Sequence, residues 1–136
     1  MGNSKGDAGE RELRDILLSE EFAVIRAAGS GSAPGVELPD LHVGNGATEW
    51  AIEAKRHSPD KNRYLSPEEV EALLSYSTFF QNAKPRVAAR WDYDTTWYIA
   101  DPRDLPESPT GKRRLDPDAR EEDPWTTLDD LLERVE

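Results

Sequence analysis

Two runs of alternating apolar and polar residues, Val36 to Val43 and Thr48 to Lys55, flank Gly44-Asn45-Gly46-Ala47. Alternation at period two marks strands with unlike faces, and Asn-Gly between two such runs is a strong type I′ hairpin signal. No other feature constrains the chain as tightly, because a hairpin fixes register. Centred on Asn45-Gly46, paired residues sum to 91, which sets Asp40 opposite Ala51 and diagonal to Glu53. Residues two apart share a strand face. Trp50, Ile52 and Ala54 therefore turn into a core, while Glu53 and Lys55 share the other face with Asp40. Diagonal neighbours stand about 7–8 Å apart at the backbone, close enough for two carboxylates to converge on one cation. A one-residue slip would send them to opposite faces.

Around this hairpin the sequence predicts a helix over Asp7–Ser19, with Leu13, Ile16 and Leu17 buried and Ser4 with Asp7 as a capping box. Phe22 to Arg26 reads as a strand, and Ala28 to Gly35 as a loop of small residues. Ser66-Pro67-Glu68-Glu69 announces a second helix running to about Phe80, with Ser at the N-cap, Pro at N1 and Glu at N3. Arg86–Arg90 and Thr95–Ala100 read as strands around a turn at Asp92-Tyr93-Asp94, and Thr127–Val135 as a last helix. The order α-β-β-β-α-β-β-α implies an α/β fold, a mixed central sheet flanked by helices. Residues 1–100 make the main domain. Residues 101–136 form an acidic extension, proline-rich and irregular up to Pro124, that ends in the short helix and packs on or trails from the same domain.

At 136 residues the chain holds one core. It lacks cysteine, so disulfides and thiolate metal sites are excluded, and no apolar run approaches the roughly 20 residues of a membrane span. A soluble cytoplasmic protein is expected. Net charge is −11, which at first argues against a nucleic-acid partner. The charge is uneven, however: residues 1–90 carry 11 Lys+Arg against 14 Asp+Glu, and residues 91–136 carry 6 against 14. With 12 Arg and only 5 Lys, the composition suits a halophilic source. At molar salt the Debye length falls to about 3 Å, which screens distant surface acid from a bound polyanion.

Phosphodiester hydrolysis needs a hard divalent cation to neutralise phosphate charge and acidify a water, and magnesium accepts one to three carboxylates. A neighbouring lysine can orient the nucleophile and stabilise developing negative charge. Asp40, Glu53 and Lys55 suit that task, although Glu and Lys alternating on a strand also describe an ordinary solvated face. Asp disfavours strands, yet Asp40 lies among Leu38, Leu41 and Val43. Glu10 lies at the edge of the first helix's buried face, where an i,i+4 pair with Arg14 is its plainer reading. His42 shares the face of Asp40 but has no second histidine at ligand spacing, which makes it a bystander. Phe79 and Phe80 read as core, with one of them and Tyr64 available to a subunit interface.

Pro39-Asp40, twelve residues, then Glu53-Ala54-Lys55 matches the PD…(D/E)xK nuclease pattern. Lys5-Gly6 before Glu10-Arg11-Glu12-Leu13 adds a second block, as do Phe22 to Arg26, Gly29-Ser30-Gly31-Ser32, Leu41 to Gly46 and Tyr64-Leu65. Over residues 4–100 the chain resembles the archaeal Holliday junction resolvases, the Hjc family. The resemblance implies a restriction-endonuclease-like fold and a homodimer that nicks opposing strands of four-way junction DNA with Mg²⁺ (Mn²⁺ as an alternative). It implies Glu10, Asp40 and Glu53 as metal ligands, Lys55 as the water-positioning residue and Ser30 as a catalytic loop residue. Ser32 is the substitute for Ser30 in that loop role, or a DNA-binding residue beside it, because the repeated Gly-Ser leaves the alignment open. Arg11 and Arg26 would hold phosphates near the cut. Arg14, Arg56, Lys61 and Arg63 complete a basic set along the junction arms, with solvated surface positions as the alternative. Two other functions stay open: a nuclease of the same fold acting on duplex or flapped DNA, and a catalytically silent junction-binding protein.

Overall fold

The computed structural model describes residues 4–27, 32–33, 36–57 and 63–134, with side chains described from Ala8 to Ala27, from Glu37 to His57 and from Arg63 to Arg134. The hairpin arms are β4 and β5 in a chain order that runs α1 (Ser4–Ser19), β1 (Ala23–Arg26), β2 (Ser32–Ala33), β3 (Val36–Glu37), β4 (Leu41–Gly44) and β5 (Glu49–His57). There follow β6 (Arg63–Leu65), α2 (Pro67–Ser77), β7 (Ala83–Trp91), β8 (Tyr98–Ala100), β9 (Arg113–Leu115), β10 (Thr126–Thr127) and α3 (Leu128–Arg134). Six strands form one sheet in the order β1-β4-β5-β7-β8-β10; β5 and β7 are parallel and the other neighbours antiparallel. A parallel neighbour requires a crossover, which β6 and α2 supply. The mixed α/β fold is thus as expected, with more strands than the sequence pattern distinguishes.

Both faces of the sheet are covered. On one, Leu13 and Leu17 of α1 pack with Leu41, Val43, Trp50, Ile52, Ala88 and Leu128. On the other, Val70 of α2 packs with Val87, Ala89, Trp91, Leu105, Leu115 and Trp125. Coverage on both sides explains why β7 is buried without alternation from Val87 to Trp91. Leu13 and Leu17 are fully buried, and trimming either to alanine would cost about 2–5 kcal/mol. Among the described residues no helix is long and apolar enough to cross a membrane.

The hairpin differs from its expected form in one respect that matters for the site. Leu41 pairs with Ile52 and Gly44 with Glu49, so partners sum to 93 rather than 91. The turn spans four residues: Asn45 N–H donates to Thr48 O (3.0 Å), and the Asn45 side chain accepts from the N–H groups of Ala47 (2.9 Å) and Thr48 (2.7 Å). Gly46 takes φ +93°, but Asn45 does not share the positive φ that a two-residue type I′ turn demands. The wider loop slides the pairing by two residues, which preserves the faces. The first arm is also broken, since Val36-Glu37 pairs with β2 and Asp40 lies at a bend just before β4.

Other boundaries move modestly. The helix expected from Asp7 begins at Ser4, and the side chains of its expected capping box lie outside the described residues. The second capping box forms as read: Ser66 Oγ accepts from Glu69 N–H (3.1 Å) and Glu69 Oε1 accepts from Ser66 N–H (3.0 Å). That helix ends at Ser77, three residues short of Phe80. The stretch after Asp101 has short 3₁₀ turns at Pro102–Asp104 and Pro117–Ala119, and β9 pairs with β6. Leu105, Leu115 and Trp125 are buried there, and β10 closes the sheet as its sixth strand.

Candidate active site

Asp40 is fixed by two backbone groups. Its main-chain oxygen accepts from Ala27 N–H (3.1 Å), and its Oδ2 accepts from Ala54 N–H (2.8 Å). Continuing the hairpin register places it directly opposite Glu53 rather than diagonal to it. Glu53 and Lys55 point the same way from β5, under the N-terminal end of α2. Their side chains are 18% and 25% exposed, which excludes the solvated-face reading.

Electrostatics follow from that burial. Burial raises the Glu53 pKa to about 8, and the nearby Asp40 carboxylate adds to the effect. Asp40 is also raised, by burial against the opposing Ala54 hydrogen bond and the Lys55 charge. Burial works to lower Lys55, but the hydrogen bond and charge of Glu69, with Glu53 and Asp40, outweigh it and hold the ammonium above its ordinary value. Lys55 Nζ lies 2.7 Å from Glu69 Oε2 and 3.8 Å from Glu53 Oε2. Two half-buried carboxylates that resist joint ionisation favour a cation between them.

Glu10 reaches this region from α1. Gly9 is buried against β5, where an added Cβ would stand 3.2 Å from Arg56 Cβ; its lack of a side chain lets the helix seat closely. The Glu10 carboxylate pairs with Arg26 Nε (3.2 Å), and Arg14 with Asp15 (2.9 Å), in place of an i,i+4 pair between Glu10 and Arg14. Glu10 still acts on Glu53, where its charge is among those raising the pKa. Among the described residues, no three Asp, Glu or His side chains are already gathered into a metal site. The carboxylates of Asp40 and Glu53 are hard oxygen donors of the kind Mg²⁺ accepts.

The expected basic set is only partly brought together. Arg26 lies at the site through Glu10, and Arg11 is exposed on the following helical position. Arg56 alternates to the α1 face, where its Nε meets Asp92 Oδ1 (3.3 Å). Arg63 is exposed on β6. Ser30 and Lys61 lie outside the described residues, as does the side chain of Ser32. His42 hydrogen-bonds the Tyr76 hydroxyl through Nδ1 (2.8 Å) and pairs with Glu49 through Nε2, joining the hairpin to α2. Glu69 is the neighbour that sequence reasoning missed. It was legible as a capping residue, but only the crossover brings that cap to Lys55.

The sheet order, the crossover helix and the carboxylates facing each other from β5 and the bend before β4 together define the class of fold seen in a solved structure from Archaeoglobus fulgidus, described as a 1.6 Å structure of Hjc, a Holliday junction resolvase. That structure superposes with a TM-score of 0.80 at 29% identity, covering 93% of this chain and 99% of the other. The family model for archaeal Holliday junction resolvase (Hjc) matches residues 1–136, and the chain belongs to that family. The chain is 44% identical over 77 residues to the A. fulgidus crossover junction endodeoxyribonuclease Hjc and 40% identical over 88 residues to that of Methanocaldococcus jannaschii. These alignments cover 57% and 65% of this chain, and they span 55% and 60% of the relatives' lengths. The Sulfolobus acidocaldarius crossover junction endodeoxyribonuclease Hje is 28% identical over 107 residues, 79% of this chain and 76% of the relative.

Proposed function

We propose that the chain is a structure-selective endonuclease that resolves four-way DNA junctions by Mg²⁺-dependent phosphodiester hydrolysis, with Mn²⁺ able to replace Mg²⁺. The observation that carries this reading is the half-buried Asp40–Glu53 pair with Lys55 beside it, in a chain of this family. Asp40 and Glu53 would hold the cation, with Glu10 joining them on release from Arg26. The bound cation supplies charge neutralisation at the phosphate and lowers the pKa of a water. Asp40 is oriented for this by the Ala54 amide, and Glu53 by its rigid central strand. Lys55 orients the water and faces the charge that builds on the phosphoryl oxygens as the leaving-group bond breaks. Arg11 and Arg26 would hold the backbone phosphates, with Arg14, Lys61 and Arg63 further along the arms. Ser30 or Ser32 would act from the segment of chain between β1 and β3. Recognition through phosphate position and junction shape suits this chain, since phosphate contacts fix register without reading sequence.

A symmetric pair of nicks requires two sites, and we take the working form to be a homodimer. Ile25, 70% exposed on the edge strand β1, pairs across the strands with His42, and the Phe80 ring packs edge-on against His42 (4.5 Å). A second copy seated on that apolar margin would cover it. The acidic surface and scarcity of lysine support work at high salt in a halophilic archaeon, on chromosomal DNA in the cytoplasm.

The test is cleavage at high KCl with Mg²⁺, using labelled four-way junctions, linear duplex and flaps, beside Glu53→Ala. Paired nicks at symmetric positions on junctions alone, lost in the variant, are expected. Equal cutting of linear duplex would replace junction selectivity with a general nuclease. Junction binding with no metal-dependent cutting would remove the enzymatic reading.

A further inference from the structure

Lys55 lies between two carboxylates of different origin. Glu53 is two residues away on the same strand, whereas Glu69 comes from the first turn of α2. The ammonium is 2.7 Å from Glu69 and 3.8 Å from Glu53. Glu69 is itself held on two sides: Oε1 accepts from Ser66 N–H (3.0 Å), and its own N–H donates to Ser66 Oγ (3.1 Å). One carboxylate oxygen therefore closes the helix cap while the other receives the lysine. An anchored acceptor of this kind fixes a flexible four-carbon side chain far better than a free surface partner does.

The electrostatic setting gives this contact a consequence. Glu53 and Asp40 both attract the Lys55 charge. An ammonium lying directly on Glu53 would compete with a divalent cation for the same oxygens. We propose that Glu69 is a positioning residue that tethers Lys55 to α2, keeping its ammonium off Glu53 so that the Asp40–Glu53 pair stays open to the divalent cation. This rests on the reading of that pair as the metal site. It assigns Glu69 a role in metal occupancy as well as in helix capping.

Mn²⁺ binding in the absence of DNA, followed by the paramagnetic resonance of the free ion, separates the possibilities. Glu69→Ala should weaken Mn²⁺ binding about tenfold, the loss typical of groups that orient metal ligands. Adding Lys55→Ala to Glu69→Ala should restore it, because the competing ammonium is gone. Ser66→Ala, which loses the cap hydroxyl but keeps the Glu69 carboxylate, should lower the melting temperature and leave Mn²⁺ affinity unchanged. In single-turnover cleavage at saturating enzyme, Glu69→Ala should slow the step about tenfold while junction affinity stays within about twofold of wild type. Wild-type affinity in Glu69→Ala, or no restoration in the double variant, would overturn the assignment with the metal site intact. Mn²⁺ binding that is unaffected by Glu53→Ala would instead overturn the metal site, and the role of Glu69 with it.

Discussion

Glu53 sits where a carboxylate is costly. It is largely withdrawn from water and faces Asp40, so without a cation the folded protein holds it near pKa 8. Such a group works against stability and is kept for what it binds. Glu53→Gln should therefore abolish cleavage yet raise the melting temperature of the metal-free protein. About 1 kcal/mol of relieved repulsion corresponds to roughly 4 °C in a domain of this size. The wild type should gain stability on adding Mg²⁺ and the variant should not, as thermal melts with and without the metal would show; equal Mg²⁺ responses would refute the assignment. Asp40, Glu53 and Lys55 were legible in the sequence because strand parity survives a two-residue slip in register. Their separation was not, since the side chain of Asn45 builds a wider turn than Asn-Gly alone suggests.

At the scale of elements, the proposed site draws on three: β5 carries Glu53 and Lys55, the bend before β4 carries Asp40, and α1 carries Glu10. The seating of α1 depends on Gly9. A methyl group there would meet the Arg56 side chain at 3.2 Å, so the helix or Arg56 must shift by a few tenths of an ångström. Gly9→Ala adds about 1 kcal/mol of helix propensity but costs about 1–3 kcal/mol of packing, so the balance should be a loss of up to about 2 kcal/mol. The same shift would displace Glu10, so cleavage should fall by more than the loss of folded protein explains. Chemical denaturation paired with single-turnover rates measures both; full activity with unchanged stability would show that the close approach does not matter. The apolar stripe of α1, Leu13 and Leu17, was readable from helical spacing. The need for glycine at position 9 was not, because it arises from Arg56, 47 positions later. Glu69 was hidden for a related reason: its capping role is local, while its contact with Lys55 requires the β5–α2 crossover.

For the whole molecule, the acidic C-terminal third is the part the sequence pattern described least. Prolines and charges there suggest irregular chain, and most of it lacks long elements, but single large residues bind it to the sheet. Trp125 packs edge-on with Trp91 (5.9 Å), and Arg120 pairs with Asp94 at the turn after β7 (2.9 Å). Sparse apolar anchors among charges leave no periodicity to read. We take residues 101–134 to belong to the folding unit of residues 1–100, so truncation after Ala100 should yield a chain with no cooperative thermal transition. Asp94 also carries a pH signature. Burial would raise its pKa, but hydrogen bonds from Thr96, Tyr98 and Arg120 hold it below the usual carboxylate range. A depressed folded pKa means that this stability is present above the ordinary Asp value and is lost as pH falls through the folded one. Acid unfolding of Asp94→Asn should accordingly show a shallower decline than wild type, starting from a lower stability at neutral pH. Identical slopes would exclude the contribution.

A divalent cation held by the Asp40–Glu53 pair is the centre of the proposed chemistry. Crystals grown with Mn²⁺ and measured at the manganese absorption edge would locate the ion directly. An anomalous peak bounded by both carboxylates, absent in Glu53→Ala, is the expected result. A peak elsewhere, or none in a protein that still nicks junctions with Mn²⁺, would contradict it.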